Sequence, residues 1–137
     1  TAHCGINDYY KPGSKYQALA PKEYGELRYM LELIGRYPDY ILVPAHAGGD
    51  CGWEYELLAE EVRKHQWKNV YTDTSFKNAQ VMRELAELFG EDKLLFASDY
   101  PFDGITQSVA ACEAAFADDP VLADKVFYRN AARLLAL

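Results

Sequence analysis

Short apolar runs alternate with helical segments along this 137-residue chain, and this alternation constrains its fold more than any other feature. Tyr40–Ala45 and Leu94–Ala97 are continuous apolar runs, as expected of strands that are buried on both faces. Asn69–Thr74 is interpreted as a further strand, and Thr1–Gly5 as the end of another. Strand–helix units in this order predict an α/β fold with a parallel sheet and right-handed crossovers. Such units suit either half of a (β/α)8 barrel or a small doubly wound sheet.

Apolar residues at helical spacing predict the helices that follow these strands. The first helix is expected to end at Gly35, the second to run over about 53–65, and the third to end at Gly90. Asp119 and Pro120 form a cap and a first-turn proline, which open a short helical tail. The predicted core positions are Tyr24, Leu27, Met30, Leu31, Ile34, Trp53, Leu57, Leu58, Val62, Val81, Leu85, Leu88, Phe89, Ile105, Val109, Cys112, Phe116, Phe127, Ala131, Leu134 and Leu135.

Composition and charge limit the partners of the chain. Half of the residues are hydrophobic, which is typical of one globular domain, here predicted to span residues 1–137. The formal net charge of -7 argues against nucleic acid and against an anionic membrane surface as partners. No apolar run approaches the roughly 20 residues that a membrane span needs.

The cysteines and the first residues bear on location and completeness. Cys4, Cys51 and Cys112 are an odd set without a framework spacing, so we expect reduced thiols and a cytoplasmic protein. The chain opens on Thr1, without a Met or a leader, in what resembles the end of a strand. We therefore expect that the N-terminal part of a longer protein is missing.

A polar residue lies at or just after the C-terminal end of each predicted strand: His3, His46, Asp73 and Asp99. The C-terminal ends of parallel strands share one face, so we expect these four side chains on one rim. Neutral imidazole and carboxylate suit zinc, manganese or iron. A bound divalent ion would lower the pKa of its water to roughly 7 and supply hydroxide at neutral pH. The remaining histidine, His65, lies at a charged helix end and is expected in solvent.

Each rim residue also has a structural interpretation. His3 suits an ordinary polar residue of the rim, and Asp99 suits a turn before Pro101. Asp73 suits a cap for the next helix or a partner inside the barrel, and a structural role is favoured for it. The glycines after His46 allow a ligand to approach closely, and they equally suit a plain turn. Two imidazoles and one carboxylate at matched strand ends are more specific than any one of them.

Other sites compete with this interpretation. Cys4 and Cys51 each lie near a histidine and suit a structural zinc site, although the chain has no Cys-x-x-Cys pair. Gly48 and Gly49 suit a phosphate cradle in a flavodoxin-like domain. The tyrosines of the predicted loop 6–21 suit either a substrate wall or a cover for the rim of the core.

Five strings occur in the order seen in a known family: Ala-His-Cys-Gly at 2–5, Pro-Ala-His-Ala-Gly-Gly at 44–49, Asn-Val-Tyr-Thr-Asp-Thr-Ser at 69–75, Leu-Phe-Ala-Ser-Asp-Tyr-Pro-Phe at 95–102 and Asn-Ala-Ala-Arg-Leu-Leu at 130–135. Together they resemble the amidohydrolase superfamily. The branch they resemble contains aminocarboxymuconate-semialdehyde decarboxylase and pyrone-dicarboxylate lactonase. The similarity spans essentially the whole chain, and the combination is more specific than any single string.

The resemblance implies the C-terminal half of a (β/α)8 barrel, with strands five to eight, helices on the outer face, and C-terminal helices. His3 matches a metal ligand of strand five, and His46 matches the strand-six histidine, a ligand or a catalytic base. Asp99 matches the strand-eight aspartate, which binds metal and moves the proton of the attacking water. The implied cofactor is a divalent metal ion, zinc first, with manganese or iron as alternatives. Asp73 matches a strand-seven position without an assigned catalytic role.

The implied activity is metal-dependent hydrolysis of a small carboxylated or cyclic substrate at an amide, ester or lactone bond, in the full-length parent protein. The alternatives are non-oxidative decarboxylation at the same site, and an inactive half-barrel fragment or interaction module. The family's first metal-binding motif, His-x-His or Glu-x-His, does not occur in this chain, so His3, His46 and Asp99 form an open half-site. A half barrel has unpaired edge strands, so we expect a homo-oligomer or pairing with the missing N-terminal half.

Overall fold

Parallel pairing of short extended segments organises the fold in the computed structural model, which describes residues 1–5, 25–49 and 54–137. The chain divides into two compact units, Thr1–Val70 and Tyr71–Leu137. Both units contain parallel pairs and helices, which confirms the predicted α/β class with a parallel sheet. Predictions that lie outside the described residues concern the loop 6–21, Tyr24, Cys51 and Trp53.

Each helix of the first unit buries one apolar stripe. Helix α1 is Leu27–Arg36 and helix α2 is Glu54–His65, and the two helices contact each other. The side chains that these helices bury are Leu27, Met30, Ile34, Tyr55, Leu58 and Ala59.

Asn69 ties the end of α1 to the paired segments of the first unit. Its buried side-chain amide donates to the carbonyls of Tyr37 and Tyr40, at 3.1 and 3.0 Å. The Asn69 carbonyl accepts from the Leu42 N–H at 2.8 Å, and Leu42 forms a parallel bridge with Val70. The amide therefore binds two carbonyls of the turn that follows α1.

The second unit holds one parallel strand pair and most of the helices among the residues that the structure describes. Strand β1 (Thr72–Asp73) pairs with strand β2 (Leu94–Leu95), with Thr72 opposite Leu94 and Asp73 opposite Leu95. Helices α3 and α4 contact each other. The helical elements, in chain order, are α3 (Ala79–Phe89), a 3-10 turn (Glu91–Lys93), α4 (Ile105–Ala115), α5 (Pro120–Asp124), a π-helical turn (Lys125–Arg129) and α6 (Asn130–Leu135).

Local sequence signals set several helix ends. Asn78 caps α3, because its side-chain oxygen accepts from the backbone N–H three residues later at 3.0 Å. Asp119 caps α5 in the same way at 2.9 Å, and Pro120 lies in the first turn. Gly90 ends α3 with a φ of 94°. The predictions at Asp119, Pro120 and Gly90 are confirmed, whereas α1 continues one residue beyond Gly35.

The side chain of Asn130 fastens the helical tail to β2. Asn130 is 1% exposed, and its amide donates to the carbonyls of Glu91 at 2.7 Å and Leu94 at 2.8 Å. Lys125 adds an ion pair with Glu91 at 2.7 Å, and the Arg133 guanidinium donates to the Asp92 carbonyl at 2.6 Å. The ion pair is solvent-exposed and contributes little, so the buried amide carries most of this attachment.

The π-helical turn changes which backbone groups pair. The Asn130 N–H donates to the Lys125 carbonyl, five residues back, where an α-helix would use Val126. The Val126 carbonyl instead accepts from the Phe96 N–H at 2.9 Å. The tail therefore supplies a backbone partner to the segment that follows β2.

The extended segments are shorter and less buried than predicted. Strands β1 and β2 have two residues each, and in 40–45 bridges form only at Leu42 and Pro44. Tyr40 and Ile41 are 68% and 53% exposed. The prediction of a strand buried on both faces is wrong there, because Tyr40 belongs to the turn after α1 and its N–H donates three residues back.

The buried stripes are also narrower than helical spacing predicts. Leu94 is fully buried, whereas residues 95–97 are only half-buried. The prediction that this strand is buried on both faces is therefore wrong for 95–97. In α3 the stripe is Met82, Leu85 and Ala86, and Leu88 lies beside it in solvent. The predicted core positions that are exposed are Leu57, Leu88, Ile105 and Leu135. Those that are buried are Leu27, Met30, Ile34, Leu58, Leu85, Cys112 and Phe116. The half-buried ones are Leu31, Val62, Val81, Phe89, Val109, Phe127, Ala131 and Leu134.

Membrane crossing needs a long apolar helix, and none of the helices described within 1–5, 25–49 and 54–137 has both the length and the apolar character.

Candidate metal site at the strand ends

Two histidine rings meet in the first unit. The ring centroids of His3 and His46 are 5.0 Å apart, and the ring planes meet edge-on at 67°. His46 is 3% exposed, whereas His3 lies in solvent-accessible surroundings. The structure therefore brings together the two histidines that the sequence places at strand ends.

A parallel bridge between Ala2 and Pro44 explains this meeting. Backbone hydrogen bonds of 3.0 and 2.9 Å join Ala2 to Val43 and Ala45. Paired parallel segments run in the same direction, so the residues that follow the bridge leave at the same end. His3 follows Ala2 by one residue and His46 follows Pro44 by two, so both rings lie just beyond the bridge at that end.

His46 lies in a left-handed backbone turn. Within Ala45–Gly48, His46 has φ 56° and ψ 27°, and Ala47 has φ 54° and ψ 33°. This conformation costs a residue with a side chain roughly 1–2 kcal/mol. Such residues cluster at functional sites, where the surrounding structure holds them in place. The turn is buried, so the direction of the His46 ring is fixed, as a metal ligand or a base requires.

The two ring-bearing segments touch at a pair of glycines. Gly5 has φ +86°, and a Cβ built on it would lie 1.3 Å from the Gly48 carbonyl oxygen. No side chain fits in that space, so the contact requires glycine at position 5. The Gly5 N–H also donates to the Gly25 carbonyl. The sequence carries no signal of this role beyond the place of Gly5 two residues after His3.

Asp99 belongs to the second unit and also has a left-handed backbone, with φ 58°. It is exposed and lies four residues after β2 ends. The Phe102 N–H donates to the Asp99 carbonyl at 2.9 Å, so the turn that the sequence suggests before Pro101 is present. A common point for Asp99, His3 and His46 stays a prediction.

Asp73 has a structural role at the end of β1. Its carboxylate accepts hydrogen bonds from both the N–H and the hydroxyl of Ser75. These bonds form an Asx-turn that starts at Asp73. Asp73 is 5% exposed. The specific expectation that Asp73 caps the next helix is wrong, because Asn78 fills that position.

The described residues hold only part of a metal-ligand set. Across 1–5, 25–49 and 54–137, no group of three or more His, Cys, Asp and Glu side chains lies close enough to hold a metal ion. Two neighbouring imidazoles suit zinc as nitrogen ligands, and they suit manganese where carboxylate oxygens complete the set. Catalytic zinc takes three protein ligands and keeps one position open. The histidine pair therefore fits such an ion as two ligands of a larger set.

The cysteines contribute no described site. Cys4 is buried, and its suggested zinc partner Cys51 lies outside the described residues, so that alternative stays a prediction. Burial, together with the neighbouring Glu113 carboxylate, raises the pKa of Cys112 to about 12. The Cys112 thiol is therefore protonated at neutral pH and is a poor nucleophile or metal ligand.

Several solved structures resemble this chain in fold. A dihydroxybenzoic acid decarboxylase from Polaromonas sp. JS666, with bound manganese and the inhibitor 2-nitroresorcinol, is 21% identical with a TM-score of 0.63; the match covers 90% of this chain and 44% of that one. A 5-carboxyvanillate decarboxylase from Sphingomonas paucimobilis is 18% identical with a TM-score of 0.61, and the match covers 90% of this chain and 47% of that one. An amidohydrolase from Burkholderia multivorans with bound zinc is 15% identical with a TM-score of 0.59, and the match covers 98% of this chain and 64% of that one.

The extent of these matches and the family assignment follow from the same comparisons. This chain spans less than two thirds of the length of each of the three proteins, and at these identities the likeness concerns the fold. No curated protein matches the sequence. A family model described as amidohydrolase matches residues 2–137. The chain belongs to the amidohydrolase family.

Proposed function

We propose that this chain supplies part of the metal centre of an amidohydrolase-family enzyme. His3 and His46 act as nitrogen ligands, and Asp99 acts as a carboxylate ligand. The observation that carries the proposal is the pair of imidazole rings, 5.0 Å apart between centroids at the matched ends of paired segments. A divalent ion is supported by two structures of similar fold, one with manganese and one with zinc.

The side chains suit different tasks at this centre. A bound divalent ion would polarise a substrate oxygen and lower the pKa of its water. His46, held by a buried left-handed turn, orients the reacting group or accepts its proton. Asp99 is exposed at the end of its segment and moves a proton, which it accepts as a carboxylate and returns as an acid.

The reaction we propose is non-oxidative decarboxylation of a small hydroxylated aromatic carboxylate. Two proteins of similar fold are a dihydroxybenzoic acid decarboxylase and a 5-carboxyvanillate decarboxylase, which supports this choice. The ring carbon takes a proton from protonated Asp99, the bond between that carbon and its carboxylate breaks, and the electron pair of that bond returns to the ring as carbon dioxide leaves. Asp99 then regains its proton from water. Hydrolysis of an amide, ester or lactone is the second candidate, and the similar amidohydrolase from Burkholderia multivorans favours it.

The extent of the barrel and its partner are also proposals. We infer that the chain forms strands five to eight of a (β/α)8 barrel and works in a homo-oligomer or with a polypeptide that carries strands one to four. The match covers 44% to 64% of the Polaromonas and Burkholderia proteins, which supports a half barrel. The match to the amidohydrolase family model also argues against the alternative of a flavodoxin-like domain.

Manganese binding should be visible on the histidine rings. The chain has three histidines, so every ring signal can be assigned by single substitutions. Paramagnetic Mn²⁺ should broaden the signals of His3 and His46 in spectra of ring-labelled protein and leave those of His65 sharp. His65 stacks on Trp67, with 4.8 Å between ring centroids, at the far end of α2.

His65 also provides the matched control for this measurement. His46→Ala should abolish the broadening of His3, because one imidazole alone binds the ion weakly. His65→Ala should leave the broadening of the other two rings unchanged. Equal broadening of all three rings, or sharp signals from His3 and His46 at saturating Mn²⁺, would contradict the proposed centre.

Turnover separates the candidate reactions. The test substrate is 2,6-dihydroxybenzoate, the ligand of another decarboxylase of similar fold. The manganese-loaded chain, in the oligomer it forms, should release carbon dioxide from it, and His46→Ala should slow this release by about 100-fold or more. Release of acid from a lactone, without carbon dioxide, would support hydrolysis instead. Manganese bound at His3 and His46 with neither product would support either the inactive module or a requirement for the polypeptide that carries strands one to four.

A further inference from the structure

The strand pair of the second unit ends in a side-chain hydrogen bond. The Thr74 hydroxyl accepts from the Ala97 N–H at 3.0 Å and donates to the Ala97 carbonyl at 3.1 Å. Thr74 is 1% exposed, so water does not compete for these bonds. One buried hydroxyl therefore satisfies both backbone groups of a single residue.

This hydroxyl takes the place of the backbone. The last backbone bond between the two segments runs from the Thr74 N–H to the Leu95 carbonyl at 3.0 Å. In a regular parallel ladder the next bond would join the Ala97 N–H to the Thr74 carbonyl. That carbonyl instead accepts from the Lys77 N–H at 3.2 Å, because the chain turns after β1. The side chain thus continues the pairing where the backbone of β1 has left it.

The extended pairing stops two residues before Asp99, whose left-handed backbone is disfavoured for a residue with a side chain. Downstream, the Phe102 N–H donates to the Asp99 carbonyl at 2.9 Å, and the Tyr100 N–H donates to the Ser98 hydroxyl at 3.3 Å. Upstream, the anchor is Thr74. The turn is therefore held from both directions, and the upstream hold at Thr74 is buried.

We propose that Thr74 is a positioning residue for Asp99. Its hydroxyl fixes the end of the segment from which the Asp99 side chain emerges, and thereby keeps Asp99 in its left-handed conformation. The functional part of this inference rests on the proposed role of Asp99 at the metal centre. A hydroxyl with both a donor and an acceptor is required, so serine can replace Thr74 and valine cannot.

The test compares Thr74→Val, which loses the hydroxyl, with Thr74→Ser, which keeps it. The readout is the nuclear Overhauser effect between the N–H and Hα of Asp99, which is strong when φ is positive. We expect this signal to weaken to the level of a residue with negative φ in Thr74→Val and to stay strong in Thr74→Ser. Ala136, with φ 55° in the same unit, is the internal reference and should keep its signal in both variants.

A measurement on the unsubstituted chain covers the case in which Thr74→Val does not fold. The Thr74 hydroxyl proton should exchange slowly with water and show a nuclear Overhauser effect to the Ala97 N–H. Absence of that proton signal would overturn the proposal. So would an Asp99 signal that stays strong in Thr74→Val, or one that weakens equally in Thr74→Ser.

The functional consequence is measured separately. In the active enzyme, kcat should fall about 10- to 100-fold in Thr74→Val and recover in Thr74→Ser, because a misplaced catalytic group slows the chemical step. The two backbone measurements need neither metal nor turnover. A failure of the positioning role is therefore distinguishable from a failure of the metal centre, which the manganese broadening of His3 and His46 reports.

Discussion

Gly5→Ala should lower the free energy of unfolding of the first unit by about 3 to 5 kcal/mol and separate the two histidine rings. The new Cβ would lie 1.3 Å from the Gly48 carbonyl oxygen, a backbone atom that cannot rotate away. The left-handed φ of Gly5 adds a conformational cost that glycine does not have. Urea denaturation measures the stability, and ring-to-ring nuclear Overhauser effects between His3 and His46 report the site.

Gly90→Ala is the matched control for this substitution. Gly90 has φ 94°, close to that of Gly5, but an added Cβ there meets nothing within 4 Å. The Gly90→Ala variant should therefore lose only the stability that an unfavourable backbone conformation costs, roughly 1–3 kcal/mol, and leave the histidine rings in contact. If both variants lost the same stability, the clash with Gly48 would not be the cause.

Asn130→Asp should destabilise the second unit by about 3 to 5 kcal/mol at pH 7. The substitution keeps the shape of the side chain but replaces a donor that serves the carbonyls of Glu91 and Leu94 with a buried carboxylate. A protonated carboxyl can still donate to one carbonyl, so folding favours the protonated form and raises the pKa of the new group. Stability of the variant should therefore fall as pH rises through that pKa. Thermal unfolding at pH 4 and pH 7 measures the difference.

Asn78→Asp is the same chemical change at a site that accepts it. The Asn78 side-chain oxygen receives the Val81 N–H at the start of α3, and aspartate caps helices as well as asparagine does. We expect a change in unfolding free energy within about 0.5 kcal/mol. A comparable loss of stability in both variants would show that the buried amide of Asn130 is not the anchor of the tail.

Local signals in the sequence predicted the helices better than the strands. The helix ends at Gly90, Asp119 and Pro120 depend only on residues within one or two helical turns, and all of them are present in the structure. Strand length depends on pairing between distant segments, which an apolar run does not encode. The run that begins at Tyr40 illustrates this, because its first residue belongs to a turn and only Leu42 and Pro44 form bridges.

The candidate site was predictable in part. Ordered strand ends sufficed to predict that His3 and His46 would emerge together, and the Ala2–Pro44 bridge produces that outcome. The left-handed turn at His46 and the contact at Gly5 depend on backbone angles and close approach, for which residue type alone is a weak guide. The same holds for Thr74, whose hydroxyl acts through a hydrogen bond to a residue 23 positions away.

The helical tail covers the outer margin of β2, and this limits where another strand can add. The Leu94 carbonyl accepts from the Asn130 amide, and the Phe96 N–H donates to Val126. Both groups would otherwise be open to an incoming strand. A polypeptide that completes the proposed barrel along this margin must therefore displace the two bonds or begin its hydrogen bonding past Phe96. A docking strand would have to compete with the tail for these two groups. Assembly along this margin of β2 should therefore be weaker than assembly along a strand edge whose groups are open.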